Sequence, residues 1–300
     1  MAAADKLAII GSGTMGAGIA QVAAVSGIEV LIVEVDRKAA ETGRQRITSG
    51  VQRGVDKGKI PAGERDRILA RVRFASTLKE AADADFVVEA APETEDLKQK
   101  IFAELDRECR KDVILASNTS SISITRIAAA TGRADRIIGM HFFNPVPAMQ
   151  LVEIIRAQAT SDETFAATRD LAVRMGKTAV EVHDFPGFVS NRVLMPMINE
   201  ATFALMEGVA SAEAIDQVMV LGMNHPMGPL ALADLIGLDV CLHTMEVLQR
   251  GHGDPKYRPC PLMRRMVDAG HLGRKTGHGF FTYPARAPQP SASGAGRHRS

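Results

Sequence analysis

Cysteine is scarce and scattered: Cys109, Cys241 and Cys260 are the only three in 300 residues. None stands in a C-x-x-C pair, so neither a disulfide framework nor a zinc knuckle is suggested, no metal site is expected, and a reducing cytosol is the expected setting. An excess of one charge is also missing. Thirty-six Lys plus Arg against 35 Asp plus Glu leave a formal charge of +1, which excludes a general attraction to a nucleic-acid backbone and requires any cationic site to be local. Long apolar runs are absent too; none approaches the roughly 20 residues that a bilayer demands, so no membrane span is expected. The opening Met1 to Lys6 has neither the basic start nor the apolar stretch of a signal peptide, and the chain is read as untargeted.

What is present is the composition of a globular protein, 46% hydrophobic and 24% charged, in a chain long enough for two domains. Short β-rich apolar runs alternate with helical patterns. Leu7 to Ile10, Val30 to Val35, Phe86 to Glu89, Val113 to Ser117 and Ile137 to Phe143 read as strands. Helices are expected near Met15 to Ser26, Leu97 to Cys109 and Ile124 to Ala130. That rhythm predicts right-handed βαβ crossovers and an α/β domain with a mostly parallel sheet over residues 1–184. The charged stretch 42–73 is too long for a simple crossover helix and predicts a projecting helical hairpin turning near Lys59 to Gly63. Beyond Asp184-Phe185-Pro186-Gly187 the strand signature stops, and Met, Leu and Ala at helical spacing predict an all-helical domain over 185–283. Residues 284–300, rich in Pro, Ser, Ala and Arg, predict a disordered tail.

Gly11-Ser12-Gly13-Thr14-Met15-Gly16 lies between the first strand and the first helix, the context in which G-x-G-x-x-G binds a dinucleotide. Gly11 permits the turn, Gly13 lets the backbone approach a pyrophosphate, and Gly16 lets helix and strand close. The helix start adds free N–H groups. About 20 residues on, Glu34 is placed to accept hydrogen bonds from an adenosine ribose, as the Rossmann arrangement requires. Glu34 favours NAD, because a 2′-phosphate would face like charge, while the nearby Arg37 leaves NADP open. Asp36 is the competing ribose acid, beyond the expected end of the strand.

His141, in Met140-His141-Phe142-Phe143-Asn144-Pro145, ends one strand, and Glu153, in Leu151-Val152-Glu153-Ile154-Ile155, lies in the next. Two prolines force a turn between them, so the two residues can meet across a hairpin as an imidazole with a carboxylate partner. An alcohol dehydrogenase needs such a base, neutral to take the hydroxyl proton and then stabilised as imidazolium. Spacing alone equally allows His141 to satisfy a backbone carbonyl and Glu153 to face solvent. Ser120 follows a buried strand, where ligands of open α/β sheets bind, although a helix cap explains it as well. Asn191 follows the domain junction, and both could hydrogen-bond a substrate oxygen.

Together these motifs resemble the L-3-hydroxyacyl-CoA dehydrogenase family, nearest to its bacterial 3-hydroxybutyryl-CoA branch. The matching segments are IGSGTMGAGIAQVA (10–23), LASNTSS (115–121), GMHFFNPVP (139–147), PGFVSNRVL (186–194), NHPMGPL (224–230), DLIGLD (234–239) and GRKTGHGFFTY (273–283). The resemblance implies that His141 is the catalytic base and Glu153 its partner, with Ser120 and Asn191 aligning a 3-hydroxyacyl group. It implies NAD contacts at Glu34, Glu93, Lys98, Ser120, Asn144 and Lys275, beside the loop residues Gly11 to Gly16. Lys57 and, less securely aligned, Ser49 match positions near the coenzyme A moiety. A homodimer formed through the helical domain is implied as well. The departures are Glu34, where many relatives carry Asp, and His278, where Lys or Arg is usual. Two rival functions stay open: a dehydrogenase of a hydroxy acid without CoA, such as a sugar acid, and a nucleotide-binding protein without chemistry.

Overall fold

The computed structural model describes residues 4–284; the tail expected over 284–300 lies outside them but for Pro284. The chain divides into two compact units after Phe188, rather than after Asp184.

The first unit is built on eight strands: β1 (Lys6–Ile10), β2 (Glu29–Val33), β3 (Val72–Ala75), β4 (Phe86–Glu89), β5 (Ile114–Ser117), β6 (Ile137–Phe142), β7 (Leu151–Arg156) and β8 (Thr178–His183). Its helices are α1 (Thr14–Val25), α2 (Arg37–Asp56), α3 (Arg65–Ala70), α4 (Glu95–Glu108), α5 (Ile124–Ala128) and α6 (Asp162–Arg174). The strands lie in the order β3-β2-β1-β4-β5-β6-β7-β8. Every pairing is parallel except β6 with β7. The order reverses between β1 and β4, which opens a crevice at the carboxyl ends of the strands.

Alternation along the strands explains the layers. Leu7 and Ile9 join Ile19, Ile47 and Leu171 on one face, while Ala8 and Ile10 join Phe102, Leu105 and Ile127 on the other. Because both faces are covered, the strands read as continuous apolar runs.

Several boundaries differ from those expected. β2 ends at Val33, so Glu34 stands just past it, and Asp36 caps α2 by accepting the Ala39 N–H at 2.6 Å. The excursion expected over 42–73 begins at Arg37 and packs rather than projects. A β-carbon at Gly43 would come within 2.6 Å of Ser12, and one at Gly50 within 2.1 Å of Gln21 Oε1; glycine therefore brings α2 against α1 and the phosphate loop. β3 and β8, both edge strands, were not separable from their charged surroundings by pattern.

The second unit holds α7 (Ser190–Met206), α8 (Ala212–Gln217), α9 (Pro229–Ile236), α10 (Leu238–His252) and α11 (Pro261–Asp268), and apart from isolated bridges at Gly273, His278 and Thr282 the described residues there form no strand. Two buried aspartates organise it. Asp216 accepts the N–H groups of Leu230 and Ala231, each at 2.9 Å, and so caps α9. Asp234 accepts those of Phe280 and Phe281, each at 2.9 Å, and the Tyr283 hydroxyl at 3.0 Å, fastening the last described segment. No helix among the described residues is long and apolar enough to cross a membrane.

All three thiols are buried. Burial raises each of them, Cys241 to about 12, and the thiolate is the reactive form. Titration with an aromatic disulfide at pH 8 should therefore detect no rapidly reacting thiol in the native protein and all three after denaturation. One fast-reacting equivalent in the native state would contradict this packing.

Candidate active site

The phosphate loop has the geometry that its glycines require. Gly11 has φ +101, a backbone that L side chains avoid. A β-carbon on Gly16 would lie 2.0 Å from the Gly11 carbonyl oxygen. Gly13 differs: its φ is −60, and a β-carbon there would meet no atom within 4 Å. Nothing in the chain itself requires glycine at that position, whereas a pyrophosphate drawn onto the start of α1 would. Glu34 accepts hydrogen bonds from Ser12 N–H at 3.0 Å and Ser12 Oγ at 2.9 Å, which holds the carboxylate at the edge of the same loop. The residues present fit a dinucleotide.

At the carboxyl ends of β4 and β5 a second polar cluster forms. Glu89 and Lys98 are 0% and 1% exposed and pair at 2.6 Å. Glu89 also accepts from Ser117 Oγ at 2.6 Å and from Ala91 N–H at 2.7 Å. Lys98 reaches Glu93 at 3.3 Å. Glu93 in turn gathers the N–H groups of Ser120 and Ser121 at 3.0 and 3.2 Å, and the Thr119 hydroxyl. Burial would push the Glu93 carboxyl up, but the Lys98 charge and these donors outweigh it and hold it below the ordinary carboxylate range. Lys98 thus lies inside the protein, bound to Glu89 and within reach of Glu93. Ser120 is positioned by Glu93 through its backbone.

β6 and β7 bring the imidazole and carboxylate together. Antiparallel register sets His141 directly opposite Glu153, with Nδ1 2.8 Å from Oε2. The residues are 8% and 2% exposed, so the contact forms away from bulk water. The rings of Phe143 and Phe188 stand 4.7 and 6.0 Å from the imidazole. Phe188 is itself buried, with φ +51, an outlier for a bulky residue that its packing must hold.

Beside the loop, α1, α2 and the turn after β6 enclose a groove of about 570 Å³. Asn144 lines it, as do Arg46, Arg53, Lys57 and Lys59, and no carboxylate does. Lys177 backs the turn from inside, donating to the carbonyls of Val146 and Met149 at 2.5 and 2.7 Å; burial lowers its ammonium. Ser49 is exposed on α2 and does not line the groove. Asn191 on α7 and Lys275 belong to the second unit, where Lys275 pairs with Asp239.

The first unit thus gathers Gly11 to Gly16, Glu34, Glu93, Lys98, Ser120, His141, Glu153, Asn144 and Lys57. Sequence reasoning missed Glu89, Lys177, Arg46, Arg53 and Phe188. The sequence signal that could have found two of them is the spacing of Arg46 and Arg53 with Lys57, which places all three on one helical face.

Comparison with known proteins identifies the family. Residues 6–185 match the model of the 3-hydroxyacyl-CoA dehydrogenase NAD-binding domain, and residues 187–283 that of the C-terminal domain of the same enzymes. The chain is 57% identical over 278 residues to a Bacillus subtilis protein named "Probable 3-hydroxybutyryl-CoA dehydrogenase", covering 93% of this chain and 97% of that one. It is 49% identical over 286 residues to the 3-hydroxybutyryl-CoA dehydrogenase of Bradyrhizobium diazoefficiens, covering 95% and 98%. The crystal structure of (S)-3-hydroxybutyryl-CoA dehydrogenase from Ralstonia eutropha superposes with a TM-score of 0.91 at 51% identity, covering 94% of this chain and all of that one. A dinucleotide cradle, a buried His–Glu pair and two domain models that together span nearly the whole described chain lead to one conclusion: the chain belongs to the 3-hydroxyacyl-CoA dehydrogenase family of NAD-dependent oxidoreductases.

Proposed function

We propose that this enzyme interconverts a short (S)-3-hydroxyacyl-CoA and its 3-keto form, with (S)-3-hydroxybutyryl-CoA as the substrate, and that His141 moves the proton. The observation that carries the reading is the buried His141–Glu153 contact at 2.8 Å, near the carboxyl end of β6 in the sheet whose first strand leads into a loop built for a dinucleotide. NAD, when bound, supplies the hydride acceptor. With Nδ1–H directed at Glu153, the neutral ring presents its lone pair at Nε2. Nε2 takes the substrate hydroxyl proton as hydride leaves the same carbon, and Glu153 stabilises the imidazolium that results. In reduction His141 returns the proton to the developing alkoxide. Ser120, anchored through Glu93, and Asn191, by its family position, align the acyl oxygen. The names of the relatives support the four-carbon substrate.

The carboxylate-free groove supports coenzyme A as the handle, since its phosphates need cations. Joint replacement of Arg53 and Lys57 by alanine should raise KM for acetoacetyl-CoA roughly tenfold with kcat little changed, the pattern of lost uniform binding. KM for the truncated acetoacetyl-N-acetylcysteamine thioester should not move. Equal weakening toward both substrates would remove these cations from CoA recognition.

The reaction is tested by following NADH consumption with acetoacetyl-CoA, with free 3-keto acids in parallel. Turnover of the thioester alone is expected; turnover of free acids alone would overturn the substrate class, and no turnover at all would favour binding without chemistry. A cytosolic homodimer completes the proposal. The dimer rests on the family resemblance, and the second unit exposes apolar side chains such as Leu221, Val193 and Val218 that a partner copy could cover.

A further inference from the structure

Glu89 takes no part in the reaction described above, yet a completely buried carboxylate is costly to keep. Its partner explains its presence only in part. Lys98 anchors Glu93, and Glu93 holds the backbone of Ser120 and Ser121; for that purpose one ammonium and one carboxylate suffice, and the pair would be neutral. Adding Glu89 at 2.6 Å from Lys98 gives two carboxylates to one ammonium, a formal charge of −1. Among the described residues Lys98 is the only cation within ion-pair distance of either carboxylate. No second cation offsets the surplus charge within ion-pair distance, and the depressed titration of Glu93 keeps that carboxylate ionised at neutral pH.

The position of this charge gives it a consequence. In an open α/β sheet a dinucleotide lies across the reversal of strand order, with its adenosine ribose at the acid after β2. Glu34 occupies that place on one side of β1, while on the other Glu89 closes β4 and Glu93 and Ser120 follow β4 and β5, toward the strand that carries His141. The nicotinamide half falls there. Its ring is a cation when oxidised and neutral when reduced, so a fixed negative charge distinguishes the two forms.

We propose that Glu89 offsets Lys98 so that the cluster remains negative and favours binding of oxidised over reduced nicotinamide. The inference rests on the cofactor placement proposed above. It makes Glu89 a positioning and charge-setting residue with no contact to the substrate.

The test measures binding rather than turnover. Dissociation constants for NADH, from its fluorescence, and for NAD+, by displacement, are compared in wild type, Glu89→Gln, Glu93→Gln and Ser117→Ala. Glu89→Gln should raise the ratio Kd(NAD+)/Kd(NADH) roughly tenfold, the order expected for one unit charge within about 10 Å at an effective dielectric near 20. Ser117→Ala removes a hydrogen bond from Glu89 without changing charge, and should leave the ratio unaltered. Glu93→Gln, at the rim and easier to accommodate, should shift the ratio in the same direction and keeps the test intact should Glu89→Gln not fold. An unchanged ratio in the folded glutamine variants would overturn the charge inference alone. Wild-type protein that binds neither form would overturn both the inference and the cofactor placement beneath it.

Discussion

Replacing His141 by glutamine is expected to lower kcat for acetoacetyl-CoA reduction by about 10²- to 10⁴-fold, the range lost when a positioned general acid–base is removed. Glutamine keeps much of the volume and can still hydrogen-bond Glu153, but it has no group that gains and loses a proton near neutrality. Because His141 lies at the end of β6 rather than in the glycine loop, the dissociation constant for NADH should stay within about twofold of wild type. The two readouts separate lost chemistry from lost structure. Comparable kcat in variant and wild type would exclude His141 as the proton carrier.

Glu153→Gln is expected to lower kcat by about 10²-fold. The carboxylate is 2% exposed and 2.8 Å from Nδ1. A glutamine carbonyl in that place still accepts the Nδ1–H, so ring orientation and tautomer survive. What disappears is the negative charge facing the imidazolium, and in a site poorly screened by water one such charge amounts to a few kcal/mol. The loss should appear in kcat for oxidation rather than in KM, since the cation forms only as the proton is transferred. Restoring charge with Glu153→Asp, one methylene shorter, should recover part of the rate. If the aspartate and glutamine variants were equally impaired, distance rather than charge would be the decisive property. Glu153→Ala gives a further comparison: it removes both acceptor and volume from a buried position, and should cost stability as well as rate.

Much of this was legible in the residues. The loop glycines, the acid following the second strand and the alternation of apolar runs with helical patterns are local features, and local steric and solvation rules act on them directly. The His141–Glu153 meeting was readable because two prolines and a twelve-residue separation leave few ways for adjacent strands to return. The limits of the excursion over 42–73 were not readable, because Gly43 and Gly50 fit α2 to side chains of another helix and of the loop, and no window of sequence contains both partners. For the same reason the edge strands β3 and β8 went unseen: half-exposed and charged, they become strands by pairing with neighbours.

Lys98 shows the division most plainly. In sequence it is a lysine near the start of an amphipathic helix, marked out from a solvated charge only by its place in a family motif. In the fold it is 1% exposed and bonded to a buried glutamate nine residues earlier, an arrangement created by the crossover from β4 into α4. Sequence by itself determined that this chain would wind a nucleotide-binding sheet and made a meeting of His141 with Glu153 possible, because turn geometry, strand alternation and helix capping depend on residues close along the chain. The tertiary structure alone decided where charge is buried and which cations share a groove, because these depend on desolvation and on distances between segments that only packing brings together.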